Sequence, residues 1–335
     1  MNMLTISGSP HIHDNQNVQK MMWNVVLALL PALFVAVMFF GISSLIVTAV
    51  SVVSCVVVEY LITKFLLKKP NTISDGSAVI TGILLAFNVP SSLPLWQVVI
   101  GAVVAIGIAK MSFGGLGNNP FNPALVGRVF LLISFPADMT TFPAPTNQFF
   151  SAADAYSGAT SLTLVKEGLK AGKTMEAIMQ EMPGYMQFLV GERAGSLGEM
   201  SVIALILGGL YLLIRKVITW HIPFSYIFTV FCFTGILWLI NPDLYINPLF
   251  HILTGGLFLG AIFMATDLVT TPMSNTGKLI FGIGCGVITV LIRVWGAYPD
   301  GVSFAILIMN AFTPLINRGF KPKRFGKVKK VKIKS

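Results

Sequence analysis

Charge is what this 335-residue sequence has least of: Asp, Glu, Lys and Arg together make up 11% of it, against 55% hydrophobic residues. Soluble domains carry roughly 25% charged residues, so the composition excludes an ordinary water-soluble fold and indicates an integral membrane protein. Cysteine is scarce too. Cys55, Cys232 and Cys285 each stand alone in an apolar stretch, which excludes a disulfide framework and any thiolate metal or iron–sulfur spacing. The histidines, His11, His13, His221 and His251, are equally scattered and offer no metal-ligand pattern. Redox chemistry in this chain would therefore have to be organic. No small-residue cleavage site follows the first apolar run, so no removable signal peptide is expected.

What is present is a succession of apolar runs in two blocks. Residues 21–67 are too long for one crossing at roughly 20 residues each, and Gly41-Ile42-Ser43-Ser44 supplies a turn that divides them. Runs at 77–88, 95–109 and 121–135 bring the first block to five, with the 77–88 run marginal as a regular span. The second block repeats the count at 201–213, 224–240, 249–265, 279–294 and 302–316. Thr81-Gly82-Ile83 is answered by Leu259-Gly260-Ala261, and Lys110 precedes Phe121 by the same interval as Arg293 precedes Phe304. The expected fold is an all-α integral membrane protein of ten transmembrane spans, built as two five-helix inverted repeats with broken helices. Its divisions would be an N-terminus at 1–20, a first repeat at 21–135, a loop at 136–199, a second repeat at 200–317 and a basic tail at 318–335.

The formal net charge of +10 has to be read against a bilayer, because Lys and Arg in short loops favour the cytoplasmic side. With a cytoplasmic N-terminus, Lys20, Lys64, Lys68, Lys69, Lys110, Arg215, Lys216, Lys278 and the tail all fall inside. The loop at 136–199 then emerges on the extracytoplasmic face. The tail reads as a topology anchor attracted to anionic membrane lipid, with no nucleic acid partner.

Polar residues near membrane depth are costly and usually line a protein interior or cavity. Asn119-Pro120-Phe121-Asn122-Pro123 opens the fifth run, where two prolines break the backbone and side-chain amides either cap a helix or bind a ligand. Arg128 and Arg293 read as snorkelling or interhelical pairs, or as charge compensation for a reduced cofactor. Asp75 reads as a helix cap. The glycines of Thr254-Gly255-Gly256 and Gly282-Ile283-Gly284-Cys285-Gly286 read as close helix packing.

In the central loop stands Asp154-Ala155-Tyr156-Ser157-Gly158-Ala159-Thr160. Small neighbours expose one threonine hydroxyl to a bulky partner, which suits covalent modification. This motif resembles the one by which the D subunits of Rnf complexes and the B subunits of sodium-translocating NADH:quinone oxidoreductases carry FMN. The likeness extends over the chain, through Ser9-Pro10-His11-Ile12-His13, the block 110–130 and Val294-Trp295-Gly296-Ala297-Tyr298-Pro299-Asp300-Gly301 to Asn310-Ala311-Phe312-Thr313-Pro314-Leu315. The short N-terminal region favours the Rnf branch.

The resemblance implies FMN joined through its phosphate to Thr160 by a flavin transferase, with Asp154, Ser157, Gly158 and Ala159 as the surrounding motif. It also implies a non-covalent riboflavin near Asn119, Asn122 and Asp267, although Leu268 stands where the family usually has proline. The function implied is that of a membrane flavoprotein within an ion-translocating ferredoxin:NAD oxidoreductase, not catalytic alone. It would work in the bacterial inner membrane with the other Rnf subunits, especially the FMN-bearing G subunit. A channel or secondary transporter without redox function is the alternative, since inverted repeats with broken helices serve those roles as well.

Overall fold

The structure is a computed structural model that describes residues 17–68, 73–143, 157–180, 182–191 and 193–321. Asp154, His11, His13 and the tail from residue 322 lie outside the described residues, as does the side chain of Ser157. Helix α1 (Val18–Phe40) stops at Gly41, whose φ of 65° reverses the chain into α2 (Ile42–Leu61). A wider π-helical turn, Ile62–Leu67, extends α2. After α3 (Ser77–Phe87) comes α4 (Leu95–Val103), likewise extended by a π-helical stretch, Val104–Ile108, and then α5 (Pro123–Ser134).

The chain then leaves the apolar body through α6 (Pro136–Thr140). Two-residue strands β1 (Phe142–Pro143) and β2 (Ser157–Gly158) pair antiparallel, Phe142 opposite Gly158. Short helices α7 (Ser161–Lys170), α8 (Met175–Gln180) and α9 (Tyr185–Val190) follow. The sequence reads as short helices around 163–169 and 175–182, close to the first two, and gives no such reading for α9. The second block consists of α10 (Val202–Ile214), α11 (His221–Ile240), α12 (Pro248–Leu253), α13 (Leu257–Leu259), α14 (Asn275–Trp295) and α15 (Val302–Gly319).

Five helices among the described residues are long and apolar enough to cross a bilayer: Val18–Phe40, Ile42–Leu67, Leu95–Phe113, His221–Ile240 and Asn275–Trp295. At 1.5 Å per residue each reaches about 30 Å, the thickness of the hydrocarbon layer. Helices α3, α5 and α10 are apolar but only 11, 12 and 13 residues long. The run expected at 249–265 is broken at Thr254-Gly255-Gly256 into α12 and α13, and α13 continues as a π-helical turn, Gly260–Met264.

Glycine sets how closely the helices approach, which suits a solvent where apolar burial alone drives no association. A β-carbon on Gly82 would sit 2.6 Å from Val52 Cα of α2, and one on Gly286 would sit 2.7 Å from Thr229 Cβ of α11. These contacts bring α3 onto α2 and α14 onto α11. The two blocks also meet: α1 packs on α10 and α5 on α15, and Phe87, Leu205, Phe263 and Ile306 share one buried core. Around it, Phe34, Val53, Leu207, Phe224 and Ile236 point outward as an apolar surface.

The polar connection is held down by two devices. Leu162, Phe188, Ile246 and Phe250 form a second buried cluster, with the Phe188 ring edge-on to Phe250 at 5.7 Å. Lys166 Nζ donates to the carbonyls of Ile292 (3.2 Å), Gly296 (2.8 Å) and Tyr298 (2.5 Å), closing the C-terminal end of α14. Together they fix α7, and with it Thr160, against the second block.

Candidate functional site

Two cavities lie at opposite ends of α5, and the residues singled out in the sequence divide between them. The first is built where α5 begins. Pro123 occupies the first helical position, which needs no N–H donor. Asn122 caps the helix through Oδ1, accepting from Ala124 N (3.1 Å) and Leu125 N (3.4 Å). Its Nδ2 donates to Met264 O at 3.2 Å, satisfying a carbonyl at the end of the π-helical turn in the other block. Both ends of the Asn122 amide are thereby engaged in structure. Asn119 differs: Nδ2 donates to Phe121 O (3.1 Å), but Oδ1 is buried with no partner among the described residues.

Asp267 accepts from Val269 N (3.4 Å) and Thr270 Oγ1 (3.2 Å), a local turn of the kind aspartate makes at a chain reversal. Asn119, Asn122 and Asp267 line one cavity of about 80 Å³ with Lys110, Thr81, Leu84 and Phe263. Lys110 is anchored there by a 2.6 Å ion pair to Glu59 and a 2.6 Å bond to Ser77 Oγ. Ser77 Oγ in turn donates to Asp75 Oδ1 at 2.6 Å, and Asp75 also accepts Ser77 N, so it acts at the start of α3 as expected.

The second cavity, about 50 Å³, is lined by Thr160. Thr160 caps α7, its Oγ1 accepting from Thr163 N (3.2 Å) and sharing a proton with Thr163 Oγ1 (2.8 Å). Gly158 lies in β2, where a β-carbon would stand 3.2 Å from Ala194 Cβ, so the small residues of the motif allow close approach to the opposite wall. The rest of the wall is charged: Arg128, Arg193, Glu199 and Asp300 all line it.

Asp300 is the hub. Arg293 donates to its Oδ1 from Nε (3.3 Å) and Nη2 (3.1 Å), and Arg128 Nη2 stands 3.6 Å from its Oδ2. Arg128 also bonds Ser303 Oγ. Arg193 donates to Leu253 O (2.5 Å) and to the Glu199 backbone O (2.6 Å). The Nε atoms of Arg128 and Arg193 are buried without partners among the described residues. The floor is the Gly255-Gly256 break, where Gly255 has a φ of 68°. A β-carbon on Gly256 would lie 3.4 Å from Glu199 Oε1 and 3.5 Å from Asp300 Oδ2, so glycine leaves room for both carboxylates beside the break.

Both acids lie in connections outside the long helices, and their environments push them apart. Burial, then Asp300, holds the Glu199 carboxyl above the usual carboxylate range, against the opposing pull of Arg128 and Arg193. Burial acts on Asp300 in the same sense, but Arg293 and Arg128 outweigh it and hold that carboxyl low. Arg193 is lowered to about 10 by burial.

The sequence marks Thr160, Asn119, Asn122 and Asp267 as a polar set inside an apolar chain, and the fold sorts them into two groups. Gly255 and Gly256, which read as helix packing, form the floor of the charged cavity. Glu199 and Arg193, which the sequence does not single out, both line its wall. Their signal stands in Arg193-Ala194-Gly195-Ser196-Leu197-Gly198-Glu199, where charge is embedded in small residues directly before an apolar run. Arg128 and Arg293 are paired through Asp300 and do not snorkel. No group of three or more metal-ligating side chains occurs among the described residues.

A model of the family described as NQR2, RnfD, RnfE matches residues 5–326. Over 330 residues the chain is 45% identical to the D subunit of the proton-translocating ferredoxin:NAD(+) oxidoreductase complex of Clostridium ljungdahlii, covering 97% of each. It is also 45% identical to the Na(+)-translocating counterpart of Acetobacterium woodii, covering 98% of this chain and 97% of that one. With the D subunit of the ion-translocating oxidoreductase complex of Pectobacterium carotovorum the identity is 38%, over 96% of this chain and 98% of the relative. By the extent of that match and the identity across nearly the whole chain, the protein belongs to the NQR2, RnfD, RnfE family.

Proposed function

We propose that this chain is the membrane flavoprotein of an ion-translocating ferredoxin:NAD oxidoreductase complex, carrying FMN esterified to Thr160 and a second, non-covalent flavin beside Asn119 and Asp267. The observation that carries the reading is the division of residues along α5. Asn122 and Ala124 line one cavity and Arg128 and Leu132 the other, so the two sites are about 9 Å apart along the helix axis from Asn122 to Arg128.

In the Thr160 cavity, the hydroxyl stands at the N-terminus of α7, a place that favours a phosphoryl group. Arg128 and Arg193 each present a buried Nε without a partner among the described residues, which suits an anion. In the other cavity, Asn119 Oδ1 offers an unused acceptor to a ring N–H, and Asp267 and Lys110 supply one charge of each sign. A flavin bound in each place would supply reversible one- and two-electron transfer. The chain's own part is to hold the two sites in fixed register on one helix, to neutralise the phosphate, and to keep water out.

Ten crossings, with α3, α5, α10 and the broken α12–α13 segment as half-length helices meeting mid-membrane, accommodate this arrangement and the inverted repeat. Under the orientation set by the basic loops, the Thr160 cavity faces outward, toward the G subunit and a flavin transferase, and the Asn119 cavity faces inward. The two equally similar relatives are named for different ions, so overall likeness does not choose between proton and sodium.

The test is in-gel fluorescence of the denatured chain co-expressed with a flavin transferase. A fluorescent band that disappears in Thr160→Val is expected. A dark wild-type band, with the transferase shown to be active on a known acceptor, would overturn the reading and favour a transporter without redox function.

A further inference from the structure

Counting charge in the Thr160 cavity exposes a group that the proposed attachment leaves unused. The cavity's charged lining, Arg128, Arg193, Glu199 and Asp300, sums to zero. Arg293, bonded to Asp300 from behind, gives the set a formal excess of one positive charge. Lys166 is left outside the count because it is spent on backbone carbonyls at the end of α14. An FMN phosphodiester on Thr160 carries one negative charge and brings the set to neutrality. Reducing the flavin by two electrons with uptake of one proton leaves a ring anion, and the set becomes negative by one. In a site of low dielectric such an imbalance is costly, unless a nearby group takes up a proton.

Asp300 is poorly placed to do so. Its Oδ2 is buried without a hydrogen-bond partner among the described residues, but Arg293 donates two hydrogen bonds to Oδ1 and Arg128 stands 3.6 Å from Oδ2, so two guanidiniums hold it as the anion. Arg193, by contrast, spends one Nη on the backbone carbonyl of Glu199 and the other on Leu253 O. Among the described residues no cation is ion-paired to the Glu199 carboxylate, whose side-chain neighbour is Ser196. The ionisable and charged groups that act on Glu199 are Asp300, Arg128 and Arg193, with Arg293 behind Asp300. Among the described residues the acid that acts on it is Asp300, beside Gly256.

We infer that Glu199 is the redox-linked proton acceptor of this cavity, binding one proton when the nucleotide on Thr160 is reduced and releasing it on reoxidation. The inference rests on the attachment proposed above. Two electrons, delivered by a reduced iron–sulfur or flavin partner, and one proton go to the ring. A second proton from water goes to a Glu199 carboxylate oxygen, and no other bond is made or broken. Burial and the facing Asp300 favour the protonated form, in keeping with this role.

The experiment is a potentiometric titration of the covalent flavin in the full chain, co-expressed with the transferase and freed of dissociable flavin, over a range of pH around neutrality. For the wild type, two protons per two electrons are expected, a fall of about 59 mV per pH unit, and for Glu199→Gln one proton, about 30 mV per unit. Glu199→Asp should restore the steeper slope. A covalent band on the gel with equal slopes in wild type and Glu199→Gln would overturn the assignment and leave the attachment standing. No covalent band in the wild type would overturn the attachment itself. Should Glu199→Gln fail to accumulate, the wild-type reduced-minus-oxidised infrared spectrum decides. A protonated-carboxyl band that grows on reduction supports the inference, and its absence overturns it.

Discussion

The two cavities at the ends of α5 differ in how their charge is arranged, and the difference matches the two ligands they are proposed to hold. Around Asn119 the charge is settled: Lys110 is bonded to Glu59 and Ser77 at 2.6 Å each, and among the described residues the only other charge on the wall is Asp267. With Glu59 counted, the formal sum is negative by one, which disfavours a phosphate. Around Thr160 the charge is unsettled, with two guanidinium Nε atoms lacking partners among the described residues and, with Arg293 counted, a formal sum of plus one. A flavin lacking phosphate fits the first cavity and a phosphoester the second. Anion binding thus follows from which buried cations still have donors to give, more than from how many cations are present.

The largest effect should come from breaking the settled site. Glu59→Leu strands a buried ammonium, and removing one partner of a buried pair costs about 3–5 kcal/mol. Thermal unfolding in detergent should show that loss, and Glu59→Leu with Lys110→Met should recover most of it. A double variant as unstable as the single one would mean that Lys110 is held by Ser77 alone.

Removing the hub of the unsettled site should cost less and should depend on the cofactor. In Asp300→Asn, Arg293 keeps its bonds to His251 O and Thr254 O, so the loss is about 1–3 kcal/mol, that of a buried donor left short of a partner. Once a phosphodiester is attached to Thr160 it replaces part of the missing negative charge. Unfolding of Asp300→Asn with and without co-expressed transferase checks this. The flavin-bearing form should be the less damaged, and equal damage would place the phosphate away from the Arg128–Arg293 cluster.

Within the Asn119 cavity, the two asparagines should separate. Asn122→Ala loses a helix cap and the bond to Met264 O, about 1–2 kcal/mol, whereas Asn119→Leu leaves stability nearly unchanged. Asn119→Leu should instead lower several-fold the flavin released on denaturation relative to the covalent flavin that stays on the gel. If Asn122→Ala alone depletes released flavin at unchanged stability, the roles assigned to the two residues are reversed.

These contrasts also mark what the sequence could convey. The apolar runs fall where helices form because twenty or so residues without charge have few options other than a helix in or near a bilayer. Asn122 followed by Pro123 reads as a helix start, and Asp75 ahead of Ser77 reads as a cap, since both are local. Which polar residues meet is not local. Asn122 and Met264 are separated by 142 positions and Arg128 and Ser303 by 175, and no periodicity encodes such pairings. The break at Thr254-Gly255-Gly256 is illegible for the same reason: its glycines make room for Glu199 and Asp300, which come from two other segments.

The smallest expected effect again sets two neighbours against each other, now by pH. Glu199 in the folded chain holds its proton to a higher pH than it does unfolded. The stability it contributes is therefore fully present below the usual glutamate range and declines as pH rises through its folded value. Asp300 is shifted the other way by Arg293 and Arg128, so its contribution is present above the usual aspartate range and is lost as pH falls through its folded value. In the chain made without transferase, Glu199→Gln should flatten the decline on the rising side, and Asp300→Asn should flatten the loss on the acid side. Unfolding midpoints across the acidic to neutral range measure both. If the two substitutions flatten the same side, the carboxyls titrate as one coupled pair across Gly256, and the proton taken up on reduction would belong to both acids jointly.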